Sequence, residues 1–225
     1  MAYIALKERP RVIGENSFEE IAFDKKKNPV LDSLDGELAA EKCFDCIIQM
    51  KHPSTGVYET VDRAPNYKPN FYISNSRFVL RHKTCSHASR SLIFTVASGV
   101  KHKGNVWGGH IRYEWLSCIE YCQKGKNISA LLGYYPQLHL YYKDDDGNIF
   151  RVVVQFKKGT DVGHIVSRIV KKVCRYRLKA GFSKSDDETA FYNDNLQNLK
   201  IEKSAEKDKF ASVVLPSFIP APQNL

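Results

Sequence analysis

No stretch of this chain is apolar for long enough to cross a membrane as an uncharged helix. The opening Met1-Ala-Tyr-Ile-Ala-Leu runs at once into Lys-Glu-Arg-Pro, so no secretory leader is expected. The six cysteines, at 43, 46, 85, 118, 122 and 174, lie within or beside apolar segments. They lack the loop-rich spacing of a disulfide framework, so a reduced, cytoplasmic protein is the expectation, with peripheral membrane association left open. Acidic residues are scarce in the middle of the chain. Residues 63–181 carry 6 Asp/Glu against 21 Lys/Arg, a net charge of +15. Residues 1–62 are net −4, from 8 basic and 12 acidic groups, and residues 182–225 are net −2, from 5 and 7. A basic centre favours anionic partners: lipid headgroups, nucleic acid or an acidic protein face. The bland alternative is a basic, soluble surface with no dedicated partner.

Catalytic and metal motifs are also lacking. Cys43-Phe-Asp-Cys46 has redox or zinc spacing, but no second Cys-x-x-Cys completes four ligands. Two buried cysteines on a strand is the simpler reading. His82, Cys85 and His87 lie close together on an expected loop, with no orienting acid. Asp144-Asp-Asp-Gly lacks the spaced acids and closing Glu of a calcium loop and reads as a turn. Gly104-Asn-Val-Trp-Gly-Gly lacks the Lys-Ser/Thr of a phosphate loop. No acid, base and nucleophile converge. A non-enzymatic protein without cofactor or metal is therefore expected.

What is present lies mainly in residues 137–179. Leu138, Leu140 and Tyr142 alternate on one strand, and Val152, Val154 and Phe156 alternate on the next. Arg151, Val153 and Gln155 make the opposite edge, so the pair reads as antiparallel with one covered face. Lys143-Asp-Asp-Asp-Gly-Asn supplies the turn chemistry. Thr160 or Asp161 is then a good N-cap. Val162, Ile165, Val166, Ile169, Val170 and Val173 follow at spacings of 3, 1, 3, 1 and 3, one stripe of a helix. His164, Arg168, Lys171, Lys172, Arg175 and Lys179 fall on the opposite arc, and Gly181 is a natural stop. So many β-branched residues make a mediocre helix, which must pack on something. The sheet before it is the expected partner.

The rest of the chain divides into an N-terminal extension, residues 1–42, a core, residues 43–181, and a tail, residues 182–225. In the extension, Ser17-Phe-Glu-Glu opens one short helix and Asp32 or Ser33 caps a second over 34–40. The core holds strand-like runs at 43–51, 57–61, 71–81 (split near Asn75), 91–97 and 111–122, the last bent near Ser117. Residues 101–109 read as a flexible basic loop. Residues 183–209 are polar and read as a partly disordered tail, closed by apolar 210–215 and a Pro-rich end.

About seven short strands followed by one amphipathic helix resembles the order of pleckstrin-homology-like (PH-like) domains, over roughly residues 43–180. Asn70-Phe-Tyr-Ile-Ser-Asn-Ser-Arg-Phe-Val-Leu is similar to the Tyr-apolar-Ser/Thr-Asn-x-Arg segment of bacterial PH-like and GRAM-like domains. Ile111-Arg-Tyr-Glu-Trp-Leu-Ser-Cys-Ile-Glu resembles their later strand. The resemblance implies an α+β, mainly β fold: a seven-stranded curved antiparallel barrel closed by a C-terminal helix. It also implies a binding or oligomerising role. Two departures stand out. Lys51-His-Pro-Ser-Thr-Gly carries no basic pair after it, unlike the phosphoinositide signature of eukaryotic PH domains, and the closing helix lacks their central Trp.

The expected function is thus a cytoplasmic binding or adaptor module. Its ligand-binding candidates are Arg81, Lys83, Arg90, Lys101, Lys103 and Trp107 on basic loops, facing an anionic membrane surface or a protein partner. Arg168, Lys171, Lys172 and Arg175 form an alternative basic face. A second reading is a nucleic-acid binder that stacks bases on Tyr134, Tyr135 and Trp107. A third is a protein-interaction or immunity-type factor whose tail docks a partner.

Overall fold

The computed structural model describes residues 29–30, 35–36, 39–63, 70–83, 106–126, 133–143, 148–182, 185–202 and 206–216. Among the described residues it is mainly β, with two α-helices. The strands are β1 (Ala39–Lys51), β2 (Tyr58–Arg63), β3 (Asn70–Ile73), β4 (Arg77–Lys83), β5 (Val106–Arg112), β6 (Leu116–Lys126), β7 (Tyr134–Lys143), β8 (Ile149–Phe156) and β9 (Ala211–Val214). The helices are α1 (Val162–Lys179) and α2 (Asp186–Asn198).

Two antiparallel sheets share β1. Its first residues, Ala39–Lys42, pair with β3, and its later ones, Cys43–Met50, pair with β8. The strand path runs β5-β4-β3-β1-β8-β7-β6-β9, with β2 on β1 beside it. Among the described residues the two ends of this path do not meet, so the sheets do not close into the expected barrel. The reason is local. The chain leaves β5 through a single 3-10 turn, Tyr113–Trp115, and the β6 edge that would complete a closure is taken by β9.

The closing hairpin forms as its alternation requires. Leu140 faces Val152 and Leu138 faces Val154, all fully buried. The opposite edge departs from expectation, because Val153 and Gln155 are buried too. They lie between Ile47 and Asp45 on β1 and His139 and Gln137 on β7, so flanking strands hem them in. Cys43 and Cys46 are both core residues on β1. A spacing of three would put them on opposite faces, but the bulge between Cys43 and Asp45 adds one residue and returns both inward.

α1 starts where Asp161 accepts a hydrogen bond from the His164 backbone N–H at 3.0 Å. It ends before Gly181, whose φ of 70° suits the left-handed position after a helix. All six residues of the Val/Ile stripe are buried. Each contributes about 1.5–3 kcal/mol on burial, against a helix-propensity cost of at most about 0.7 kcal/mol each. Packing therefore decides that this segment is helical. The stripe joins a core built on aromatic contacts: Phe78–Tyr113 at 4.8 Å, Tyr142–Phe150 at 5.2 Å and Phe71–Phe78 at 5.3 Å.

Several expectations need correction. No helix spans 34–40: Asp35 lies in a turn, Gly36 has a φ of 55°, and Ala39 and Ala40 pair with Ile73 and Tyr72. β1 thus crosses the boundary placed after residue 42. Val106–Gly109 belongs to β5 and pairs with β4 instead of forming part of a loop. The bend in 111–122 falls at Tyr113–Trp115 instead of Ser117. The polar stretch 183–209 contains α2, capped by Ser185 and anchored by the buried Tyr192. The helix expected at Ser17 and the strand expected at 91–97 lie outside the described residues. No described helix is long and apolar enough to cross a membrane.

Candidate ligand-binding surfaces

The β4–β5 ladder sets the first candidate surface. Its register places Arg81 opposite Gly108, His82 opposite Trp107 and Lys83 opposite Val106. Three of the predicted residues, Arg81, Lys83 and Trp107, therefore lie at one end of this ladder, but Trp107 holds the register position of His82 and so belongs to the opposite face from Arg81 and Lys83. Arg90, Lys101 and Lys103 belong to the connection 84–105, outside the described residues.

The α1 arc is a weaker candidate than its charge implied. Arg168 is ion-paired with Glu41 on β1. Lys172 Nζ donates to Asn75 Oδ1 at 2.6 Å, in the β3–β4 turn. These two cations tie the helix to the sheets. Lys171 is half-buried and Arg175 is exposed. The stacking aromatics are also engaged. Lys158 Nζ lies 5.1 Å from the Tyr135 ring centre and Lys207 Nζ 4.9 Å from that of Tyr134. A base would have to displace a lysine or use the other face of each ring.

Two interior polar nodes hold the elements that carry these surfaces. The first centres on Asp35, which is fully buried. Its Oδ1 accepts from Ser76 Oγ at 2.5 Å and Ser74 Oγ at 2.8 Å. Arg77 donates to Oδ2 through Nη2 at 2.5 Å, and Arg77 Nη1 lies 2.6 Å from His110 Nδ1. Burial by itself would raise the Asp35 carboxyl. Hydrogen bonds from Arg77, Ser76 and Ser74 and the Arg77 charge outweigh it and hold the group below its usual value. The Ser74-Asn-Ser-Arg77 run that carries the family resemblance is, in this structure, a receptor for Asp35.

The second node is Arg177, also fully buried. Its Nη2 donates to the carbonyls of Leu116 at 2.5 Å and Tyr113 at 2.8 Å. Its Nη1 donates to the carbonyl of Pro216 at 2.5 Å and to Tyr192 Oη at 3.4 Å. One guanidinium thus joins α1, the 3-10 turn, β6, α2 and the C-terminal segment. Sequence reasoning assigned it no role. Yet it stands four residues beyond Val173, on the apolar stripe, and a cation at that position is itself the signal.

On the outer face of the second sheet, Arg151 stacks 4.3 Å above the Tyr58 ring and donates to Gln49 Oε1 at 2.8 Å. Beside it, Tyr141 Oη donates to Glu120 Oε2 at 2.6 Å, and that oxygen lies 3.6 Å from His139 Nδ1. Burial, then the Glu120 bond, pushes the Tyr141 phenol well above its ordinary range. Hydrogen bonding to His139 leads in holding Glu120 low, and burial lowers His139. Burial raises the Cys118 thiol to about 11, so it is protonated at neutral pH.

A cleft of about 300 Å³ lies between β6, the start of α1 and the C-terminal segment. Gln123 crosses its floor, donating to the Thr160 carbonyl at 2.7 Å and accepting from the Val162 N–H at 3.2 Å. Among the described residues no three His, Cys, Asp or Glu side chains are grouped to hold a metal ion. No protein-family model, curated protein or solved structure matches the chain.

Proposed function

We propose that this chain is a PH-like binding module that takes an anionic ligand at the Lys83–Val106 end of the β4–β5 ladder. The observation that carries this reading is the register bringing Arg81 and Lys83 beside Val106–Gly108, next to a connection that contains Arg90, Lys101 and Lys103. The PH-like reading draws support from strand order. With β2 and β9 set aside, the path is β5-β4-β3-β1-β8-β7-β6, and one amphipathic helix follows β8. Seven strands in that order leave loops at the sheet ends to bind, while the helix serves the core.

Vesicle flotation tests the proposal. The intact chain is expected to float with vesicles containing phosphatidylserine and to stay behind with phosphatidylcholine alone. Each basic residue near an anionic surface adds about 1 kcal/mol. R81Q/K83Q is therefore expected to weaken binding by about 30-fold, since 1.4 kcal/mol is a factor of ten. Equal flotation with neutral vesicles, or unchanged binding by the double variant, would remove this reading. K171Q/R175Q is expected to leave binding within about threefold, because these two cations stand on α1 and not on the β4–β5 ladder.

A further inference from the structure

We infer that the sheet end formed by β6, β7 and the turn before α1 is a second binding surface, which takes single-stranded nucleic acid by stacking bases on Tyr134 and Tyr135 and holding phosphates with lysines. This goes beyond the anionic-ligand reading and does not depend on it, because β6 and β7 lie toward the other end of the strand path from β4 and β5.

Backbone pairing gathers five lysines there. β6 ends on Lys124, Gly125 and Lys126, and the last two stand opposite Tyr135 and Tyr134 across the ladder. A single bridge sets Lys207 beside Lys124. The Asp208 N–H donates to the Lys124 carbonyl at 2.9 Å, and its Oδ1 accepts from the Lys126 N–H at 2.6 Å. These bonds fix the turn around Asp208, whose φ is 54°, against β6. Lys157 and Lys158 come from the turn after β8, closed where the Thr160 N–H donates to the Lys157 carbonyl at 3.2 Å. Lys158 then reaches the Tyr135 ring and Lys207 the Tyr134 ring. All five lysines and Tyr134 are exposed, and Tyr135 is half-buried.

These lysines differ from the chain's other cations in their partners. Arg168, Arg77 and Lys209 are paired with Glu41, Asp35 and Glu206. Among the described residues no carboxylate pairs with any of the five ammonium groups. Like charges gathered in this way repel and weaken the fold, a cost that an anionic partner removes. The tyrosines select the class of anion. Consecutive residues of a strand point to opposite faces, so Tyr134 and Tyr135 flank the sheet end with one lysine over each ring. A flat bilayer meets one of those faces at a time, whereas a flexible strand crossing the end meets both. A lysine over an exposed ring favours that pose by about two- to fivefold. A stacked base favours binding by about 5- to 150-fold. A base therefore displaces the ammonium, which turns to the adjoining phosphate.

Fluorescence anisotropy tests the surface, with the full chain and a labelled oligothymidylate about 16 nucleotides long, near the upper limit of such site sizes. Binding is expected, with log K falling against log salt at a slope of about −3.5, from five lysines at about 0.7 each. K124Q/K126Q/K207Q is expected to bring that slope to about −1.4. Y134L should weaken binding by about 5- to 150-fold and leave the slope unchanged, while Y134F, which keeps the ring, stays within about twofold. The altered side chains are exposed, so each variant should unfold at the parent's urea midpoint. R175Q, on α1, is the control and should bind within about threefold of the parent. No binding at low salt, the parent's slope in the lysine variant, or the parent's affinity in Y134L would each overturn the inference. So would a lysine variant that loses flotation with phosphatidylserine vesicles while the parent binds no oligonucleotide, since the lysines would then serve a membrane. Arg81 and Lys83 stay unaltered throughout, so this reading and the β4–β5 reading fail separately.

Discussion

Replacing Arg177 with methionine is expected to destabilise the protein by about 3–5 kcal/mol. The reason is the set of acceptors left behind. Carbonyls of Tyr113, Leu116 and Pro216 all receive N–H bonds from this guanidinium, in a site without solvent exposure. An acceptor stranded in such a place costs about 1–3 kcal/mol. Methionine fills much of the volume but donates nothing. Lysine keeps the charge, yet a compact ammonium cannot reproduce a planar fork reaching several carbonyls at once, so R177K should recover a minor share. Burial lowers Arg177 from its ordinary value, but an arginine stays charged at any working pH. Urea unfolding of R177M, R177K and the exposed-site control R175M measures the series. The control should fall within about 0.5 kcal/mol of the parent. A methionine variant that unfolds at the parent's urea midpoint would remove the clamp from the account of stability.

The second large effect belongs to Asp35. Changing it to asparagine is expected to cost about 3–5 kcal/mol near neutral pH, because it leaves the Arg77 guanidinium facing an amide in a buried site. The pH dependence follows from the sign of the shift. The folded carboxyl lies below its usual value, while an unfolded aspartate titrates near about 3.9. Its stabilisation is thus fully present above that unfolded value and is lost as pH falls through the folded one. The gap between parent and D35N should be level from about pH 7 to 5 and narrow below about pH 4. Urea midpoints at several pH values report it. A gap that stays constant down to pH 3 would show that the charge of Asp35 plays no part. Since Asn75 N–H also donates to the Asp35 backbone carbonyl at 2.8 Å, D35N keeps the turn itself and isolates the side chain.

These two residues also show what could be read in advance. Arg177 continues the Val162–Val173 stripe, so periodicity alone marks it as a cation on a buried face. Asp35 carries no such mark. Its partners lie about forty positions away, on a turn that only strand pairing brings near. α2 carries a local signal at its start. Ser185 Oγ accepts from the Glu188 N–H at 3.2 Å, the cap that Ser-x-x-Glu announces. Its polar composition predicts a mobile tail, whereas the single buried Tyr192 gives it a place on α1. Among the candidate ligand residues, Arg81 and Lys83 were legible as charge and Trp107 as an aromatic. Their placement at one end of β4–β5 was not, because a connection of more than twenty residues separates the two strands.

The sequence by itself determined the elements whose causes are local. The β7–β8 hairpin follows from strict alternation, α1 from its stripe and its Asp161 cap, and the β3–β4 break from Ser74-Asn-Ser. It also determined the net charge of the middle of the chain. Tertiary structure alone decided how the sheets end. β1 runs through both of them because its first four residues find β3 and its remainder finds β8. Closure is forestalled because Ala211–Val214, a run too short to announce itself, takes the β6 edge from nearly a hundred residues away. Strand pairing uses backbone groups that every residue carries, so composition does not encode the partner. Burial of Leu215 and the fork of Arg177 select it, and both exist only once the core has formed.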